Sequence, residues 1–366
     1  MIKMIDLAGE YQLLKDELDP AIQQVLEKGN YIQGEEVKIF EQQLGSYLQV
    51  KHVISCANGT DALQISLMAL GITSGDEVII PAFAYVSVIE VICLLGAKPV
   101  LVDVNLDTFQ IDENEIKLAI TSKTKAIIPV HLFGQCGNLE AVLSIAKAHQ
   151  IFIIEDNAQA LGAKYQHHFL GTLGDIGCTS FFPTKSLACF GDGGALFTND
   201  DLIAEKIRAI ANHGQKEKYN HVMLGLNSRL DTLQAGVLSV KLSRLNENLI
   251  IRREIATQYL NALKNIKDIG LPESDANCVA SWNQFTIKIK NDKRDALRKY
   301  LKENAIETMI YYPKALNQQK AYTNFDYSYK NSIILSLEVL SLPIHQLLKE
   351  DDVLRIIKHI KTYFKL

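Results

Sequence analysis

The chain has 366 residues, of which 48% are apolar and 22% charged, with a net charge of −4. That length buries a sizeable core and predicts two domains, and the balance excludes both a disordered chain and a basic nucleic-acid surface. Six cysteines with no CxxC pair, and with no histidines at ligand spacing, predict reduced thiols and no metal centre. Asp6, Glu10 and Lys15 come before any long apolar run, which argues against a secretory leader. The longest apolar run, 86–95, contains Glu90 and is too short to cross a bilayer. A soluble, cytoplasmic protein without a membrane partner is therefore expected.

From about residue 50 to 200, β-branched runs alternate with helical patterns. Strands are predicted over 78–80, 99–102, 126–130 and 151–154, and helices over 84–95, 113–120 and 139–148. Near-continuous apolar strands separated by helices predict a mostly parallel sheet covered on both faces. Segments 177–181 and 195–198 read as two closing strands. A long amphipathic helical stretch, 231–263, links to a strand over 281–289 and a helix over 292–303. The expected class is α/β: a large domain, 1–250, and a smaller C-terminal α+β domain, 251–366. Substrate would bind in the cleft between them, at the carboxyl ends of the parallel strands.

Chemistry concentrates around one lysine. Lys185 follows Ser180-Phe181-Phe182-Pro183-Thr184 and precedes Gly191-Asp192-Gly193-Gly194, while the strand over 151–154 ends in Glu155-Asp156. A lysine with an acid at the end of a buried strand suits pyridoxal phosphate (PLP): the amine forms a Schiff base and the acid keeps the pyridine nitrogen protonated. Successive strand residues face opposite sides, so only one of the two acids points into the cleft, and Asp156 is the candidate. Gln159 lies just beyond, towards the ring hydroxyl. For the phosphate, Gly59 and Thr60 open a helix over 61–70, whose N-terminal N–H groups suit an anion, and Ser180 adds a hydroxyl. Phe83 and Tyr85 follow the strand over 78–80, where an aromatic can stack on the ring.

With these residues assembled, the chain closely resembles the DegT/DnrJ/EryC1/StrS family of sugar aminotransferases, which have the fold-type I aspartate aminotransferase architecture. The resemblance runs through Ala57-Asn58-Gly59-Thr60-Asp61-Ala62-Leu63, Pro129-Val130-His131-Leu132-Phe133-Gly134 and Ile154-Glu155-Asp156-Asn157-Ala158-Gln159. Its most specific part is Ser180 to Lys185 with Gly191-Asp192-Gly193-Gly194-Ala195. It implies that Lys185 carries PLP and shuttles the proton, that Asp156 meets the pyridinium and that Gln159 sits beside the phenolic oxygen. It also implies phosphate contacts from Gly59, Thr60 and Ser180, stacking by Tyr85, and Asn227 reaching the phosphate of a neighbouring subunit in a homodimer with shared active sites.

The same resemblance places Tyr31, His131, His213, Arg229, Tyr312 and His345 in segments that line the sugar-nucleotide cleft. Related enzymes often read His-Tyr-Pro where this chain has Tyr311-Tyr312-Pro313, so a histidine contact at 311 does not carry over. The implied reaction is a ping-pong transfer of the amino group of L-glutamate to a nucleotide-linked keto sugar. The residues flanking Lys185 look most like the branch that aminates C3 of UDP-linked 2-acetamido-3-keto sugars or uronic acids, for surface-glycan and O-antigen synthesis. The alternatives are amination at C4 of a UDP- or dTDP-linked 4-keto sugar, a PLP-dependent sugar dehydratase and a non-catalytic PLP-binding regulator. Dehydratases of this scaffold replace the lysine with histidine, and Lys185 is intact. The regulator would need a DNA-binding extension ahead of Gly59, and none is evident.

Overall fold

A computed structural model describes residues 1–322 and 328–365. Two helices, α1 (Leu7–Lys28) and α2 (Glu35–Leu48), come first, and then β1 (His52–Cys56) leads into α3 (Gly59–Ala69). The alternation continues through β2 (Glu77–Pro81), α4 (Ser87–Leu94), β3 (Lys98–Val102), α5 (Glu113–Ala119), β4 (Thr124–Ile127), α6 (Leu139–His149) and β5 (Phe152–Asp156). A short hairpin of β6 (Lys164–Tyr165) and β7 (His168–Phe169) precedes β8 (Ile176–Ser180), β9 (Gly194–Thr198) and α7 (Asp201–Ala211).

The long strands form a seven-stranded sheet in the order β1-β9-β8-β5-β4-β2-β3. All run parallel except β9, which is antiparallel to both of its neighbours. Val78, Ile79 and Ile80 are all fully buried, as an unbroken apolar strand covered on both faces must be. Leu63, Leu67, Val88, Ile92 and Ile207 from α3, α4 and α7 pack on one face. Ile116, Leu139, Val142 and Ile145 from α5 and α6 pack on the other. The carboxyl ends of β1, β2, β5 and β8 therefore open on one edge, and the connections that leave them carry Gly59, Tyr85, Gln159 and Lys185.

A solvent-facing hairpin, β10 (Gln215–Glu217) and β11 (Asn220–His221), precedes α8 (Thr232–Ser243) and α9 (Leu245–Leu263). The single helical stretch expected over 231–263 is thus two helices, because the Arg244 N–H turns back onto the Lys241 and Leu242 carbonyls and ends the first ladder. Beyond lie β12 (Ile269–Gly270), β13 (Cys278–Val279), β14 (Phe285–Ile289), α10 (Arg294–Glu303), α11 (Lys330–Glu338), β15 (Val339–Leu342) and α12 (Glu350–Tyr363). A second sheet, β12-β14-β15, shares a separate core with α9, α10 and α12.

The expected strand over 281–289 begins only at Phe285. Residues 281–284 instead lie against the 133–134 turn, with Ser281 N–H donating to the Gly134 carbonyl at 2.9 Å. Gly134 has φ +92. A Cβ there would sit 2.6 Å from Ser281 Oγ and 2.8 Å from the Trp282 and Asn283 nitrogens, so only glycine admits this contact.

The expected 250/251 division falls inside α9, whose Leu245 and Leu249 join the large core while Ile255, Tyr259 and Leu263 join the small one. Helix α11 also packs Leu335 on the large core. Its start is held by Asp103, which accepts from the Asn331 and Ser332 N–H groups and the Ser332 hydroxyl. Among the described residues, no helix is long and apolar enough to cross a membrane.

Candidate active site

The two acids that end β5 part company, as the alternation of a strand requires. Glu155 is wholly buried on the back of the sheet, where its oxygens accept from the N–H groups of Gly171, Leu173 and Gly174 at 2.7–2.8 Å. His131 Nε2 lies 2.8 Å from Glu155 Oε2. Among the described residues Asp156, 6% exposed, accepts one hydrogen bond, from Ala158 N–H at 3.0 Å. Burial pushes the Asp156 carboxyl above its usual value, against the Ala158 N–H and the charges of Lys185 and His131. Burial likewise lowers the Lys185 amine to about 8, with Asp156 opposing.

Lys185 hangs in the loop between β8 and β9, which is closed at its base by the pairing of Ser180 with Gly194. Lys185 N–H donates to the Phe182 carbonyl at 2.9 Å, and Phe181 N–H to the Gly193 carbonyl at 2.7 Å. Three residues beyond Asp156, Gln159 Oε1 accepts from Phe133 N–H and Gln159 Nε2 donates to the Tyr312 hydroxyl, both at 2.9 Å. The Tyr312 ring is 5.8 Å from that of Tyr85 and 6.2 Å from that of Phe83. Phe83 is core, whereas Tyr85 is 54% exposed and stands at the rim.

The anion cradle forms where β1, β8 and β9 meet. Asn58 Oδ1 caps α3 by accepting from Asp61 N–H at 2.8 Å, which leaves the Gly59 and Thr60 N–H groups at the helix mouth. A Cβ on Gly59 would lie 2.7 Å from Ser180 Cβ, and one on Gly194 would lie 2.5 Å from the Asn58 backbone. The glycines thus let the Ser180 hydroxyl and the helix mouth converge. Sequence reasoning missed two supports here. Asn58 is one, although its place before a helical run is a capping signal. Ser228 is the other: its hydroxyl accepts from Ala57 N–H at 3.1 Å across 171 residues, and no local pattern announces it.

The expected substrate residues do not all gather. Tyr312 lies with Gln159, as above. Tyr31, His213 and Asn227 are exposed, and Arg229, half-buried, donates to Asn212 Oδ1 at 3.3 Å, beside the β10–β11 hairpin. Two placements correct the reading of the sequence. His131 is 2% exposed and lies behind the sheet with Glu155, because Val130, which bridges Asp156, takes the cleft-facing place in the register. His345 is buried beside Arg252 in the small core, where its Nδ1 accepts from Leu347 N–H at 3.2 Å. Burial and the Arg252 charge lower its pKa to about 4, so it is neutral and interior.

PLP fits these residues. A buried acid with a single N–H partner awaits a cationic ring nitrogen, an amine lowered to about 8 faces it, and a helix mouth kept clear by glycine awaits a phosphate. A lysine and strand-end acid at the carboxyl edge of this sheet define a PLP enzyme of the aspartate aminotransferase architecture. Residues 12–361 match the DegT/DnrJ/EryC1/StrS aminotransferase family, and the chain belongs to it. It is a PLP-dependent sugar aminotransferase.

The chain is 45% identical to the UDP-2-acetamido-2-deoxy-3-oxo-D-glucuronate aminotransferase of Pseudomonas aeruginosa, over 94% of this chain and 95% of that one. It is 42% identical to a pleiotropic regulatory protein of Geobacillus stearothermophilus, over 100% of this chain and 99% of the other. Among solved structures, Streptomyces venezuelae DesV in complex with a ketimine intermediate superposes with a TM-score of 0.97 at 36% identity, covering 100% and 99% of the two chains.

Proposed function

We propose that the chain transfers the amino group of L-glutamate to C3 of a UDP-linked 2-acetamido-3-keto sugar or uronic acid, as a homodimer. The facing pair Lys185 and Asp156 carries the aminotransferase chemistry, and the likeness to the 3-oxo-glucuronate enzyme supports the choice of sugar. Bound PLP supplies the electron sink that makes the Cα proton of the donor removable. Lys185, with its amine lowered to about 8, is the base for that proton near neutral pH and returns it to the product side. Asp156 holds the ring nitrogen protonated, and Gln159, kept in place by Phe133 N–H, meets the ring oxygen. Gly59, Thr60 and Ser180 hold the phosphate, and Tyr85 covers the ring.

Two observations support the dimer. Asn227, which the family resemblance assigns to a neighbour's phosphate, is exposed, and Tyr219, Val222 and Leu224 on and beside the adjoining hairpin expose apolar surface. Tyr31, His213, Arg229 and Tyr312 remain the candidates for substrate contacts. A purely regulatory reading, suggested by the name of one relative, leaves the lowered lysine and its facing acid without a purpose.

The test is a panel of UDP- and dTDP-linked 3-amino and 4-amino sugars, run in reverse with 2-oxoglutarate. UDP-linked 3-amino sugars should turn over best, and equal turnover of 4-amino sugars would overturn the assignment to C3.

A further inference from the structure

Away from the lysine, two thiols meet where the large sheet's back face joins the 274–284 segment. Cys278 lies in β13, whose pairing with β6 lays it against the large core, and it is partly exposed. Cys136 is buried at the end of the 133–136 connector. The Cys136 N–H donates to Cys278 Sγ at 3.4 Å, which sets the second thiol against the backbone of the first. Arg253, whose Nε donates to the Ala280 carbonyl at 2.8 Å, adds positive charge beside Cys278. The Cys136 side chain, its backbone N–H and Arg253 hold the Cys278 thiol below its usual value, while the Cys278 sulfur and burial raise that of Cys136. One partly exposed, thiolate-favouring sulfur beside a buried second thiol is the arrangement of an attacking and a resolving cysteine.

The connector that carries Cys136 also reaches the active site. Three residues earlier, Phe133 N–H donates to Gln159 Oε1, and Gln159 in turn donates to Tyr312. Gly134 and Ser281 bind the same connector to the segment that follows Cys278. Drawing Cys136 and Cys278 to bonding distance therefore pulls on the backbone that aims Gln159.

We propose that Cys136 and Cys278 form a peroxide-driven thiol–disulfide switch that slows the enzyme by displacing Gln159. The Cys278 thiolate attacks a hydroperoxide, forming an S–O bond as the O–O bond breaks, and the departing oxide leaves with a proton. Cys136 then attacks the resulting sulfenic sulfur, forming the S–S bond as water leaves with the Cys136 proton. Two thiols are oxidised by two electrons and the peroxide is reduced by two. A dithiol reverses the change.

The test treats the holoenzyme with hydrogen peroxide, denatures it and counts alkylatable thiols against the six of the chain. The wild type should lose two, yield a linked Cys136–Cys278 peptide and drop in kcat by about five-fold, the scale of one weakened hydrogen bond. Dithiothreitol should restore both thiols and turnover. Cys278→Ser should keep its remaining thiols and its kcat under the same treatment. Cys136→Ser should stop at a sulfenic acid on Cys278 that dimedone traps. Six surviving thiols in the wild type, a link through any other cysteine, or a Cys136–Cys278 bond with unchanged kcat would each overturn the switch.

Discussion

The back and the front of the sheet at the end of β5 carry the same chemical group in opposite conditions. On the back, Glu155 is fully buried, yet three N–H groups and His131 satisfy it. Burial alone would raise its carboxyl, but His131 and those N–H groups outweigh it and hold the value below normal. On the front, Asp156 is almost as buried with one N–H, and its carboxyl is raised. A buried acid that the protein satisfies by itself supports the fold, whereas one left short of partners is waiting for a cation from elsewhere. Burial alone therefore does not separate structural from functional carboxylates, but the partners around each one do.

The largest expected effect falls on the front face. Lys185→Ala should lower kcat on the order of 10⁴-fold, the upper range for a general acid–base group, with little change in melting temperature. Wild-type turnover in that variant would remove the lysine from the mechanism. Next come the paired substitutions. Asp156→Asn should lower kcat on the order of 10²-fold while the apoprotein melts no lower than wild type. Glu155→Gln should instead destabilise by about 3–5 kcal/mol, because it strands His131 and N–H donors built for an anion, while the folded fraction keeps most of its turnover. Denaturant titrations beside steady-state assays decide it, and an inactive but fully stable Glu155→Gln would break the contrast.

A smaller effect is expected at the anion cradle. Gly59→Ala brings a Cβ to 2.7 Å from Ser180 Cβ. It should destabilise by about 1–3 kcal/mol and weaken PLP binding, read by cofactor titration followed in absorbance.

The smallest effect is a shift with pH. Reductive methylation of Lys185 in the apoprotein should rise through a midpoint at about 8, and Asp156→Asn should move it lower because the negative charge that raises it is gone. The two acids act on stability with opposite signs. Glu155, lowered on folding, contributes stability that is full above about 4.5, the usual value, and is lost as pH falls through its folded value. Asp156, raised on folding, carries a penalty that is full above its folded value and is relieved as pH falls through it. An acid melt of the apoprotein should therefore be less cooperative in Glu155→Gln and steeper at its start in Asp156→Asn, which loses the relief that offsets the early fall.

Much of the front face was legible because its signals are local. A strand ending in Glu155-Asp156 obeys a two-residue alternation, and Gly59-Thr60 before an amphipathic run reads as a helix mouth. Lys185 stood out against its apolar and glycine-rich flanks. The back face was not legible, since His131 is assigned to it only by the bridge between Val130 and Asp156, and a register is a relation between distant strands. The same holds for residues 281–284, whose alternating pattern reads as a strand until Gly134 intervenes. The break at Arg244 carries neither proline nor glycine, and His345 looks like any polar residue beside a proline until Arg252 and burial neutralise it.

The reversed strand β9 has a consequence for the order in which the molecule matures. Its first residue, Gly194, pairs with both Ser180 and Cys56, the latter 138 positions earlier (194 − 56). The loop bearing Lys185 is closed at its base by the near pairing with Ser180, but the helix mouth at Gly59 joins it only when the distant pairing closes, and pairings between remote segments form slowly. Chains released from the ribosome should acquire their strands well before they acquire a lysine able to take up PLP. The yellow colour of the captured cofactor would then mark the end of folding, and a refolding reaction followed at that wavelength should lag behind the recovery of secondary structure.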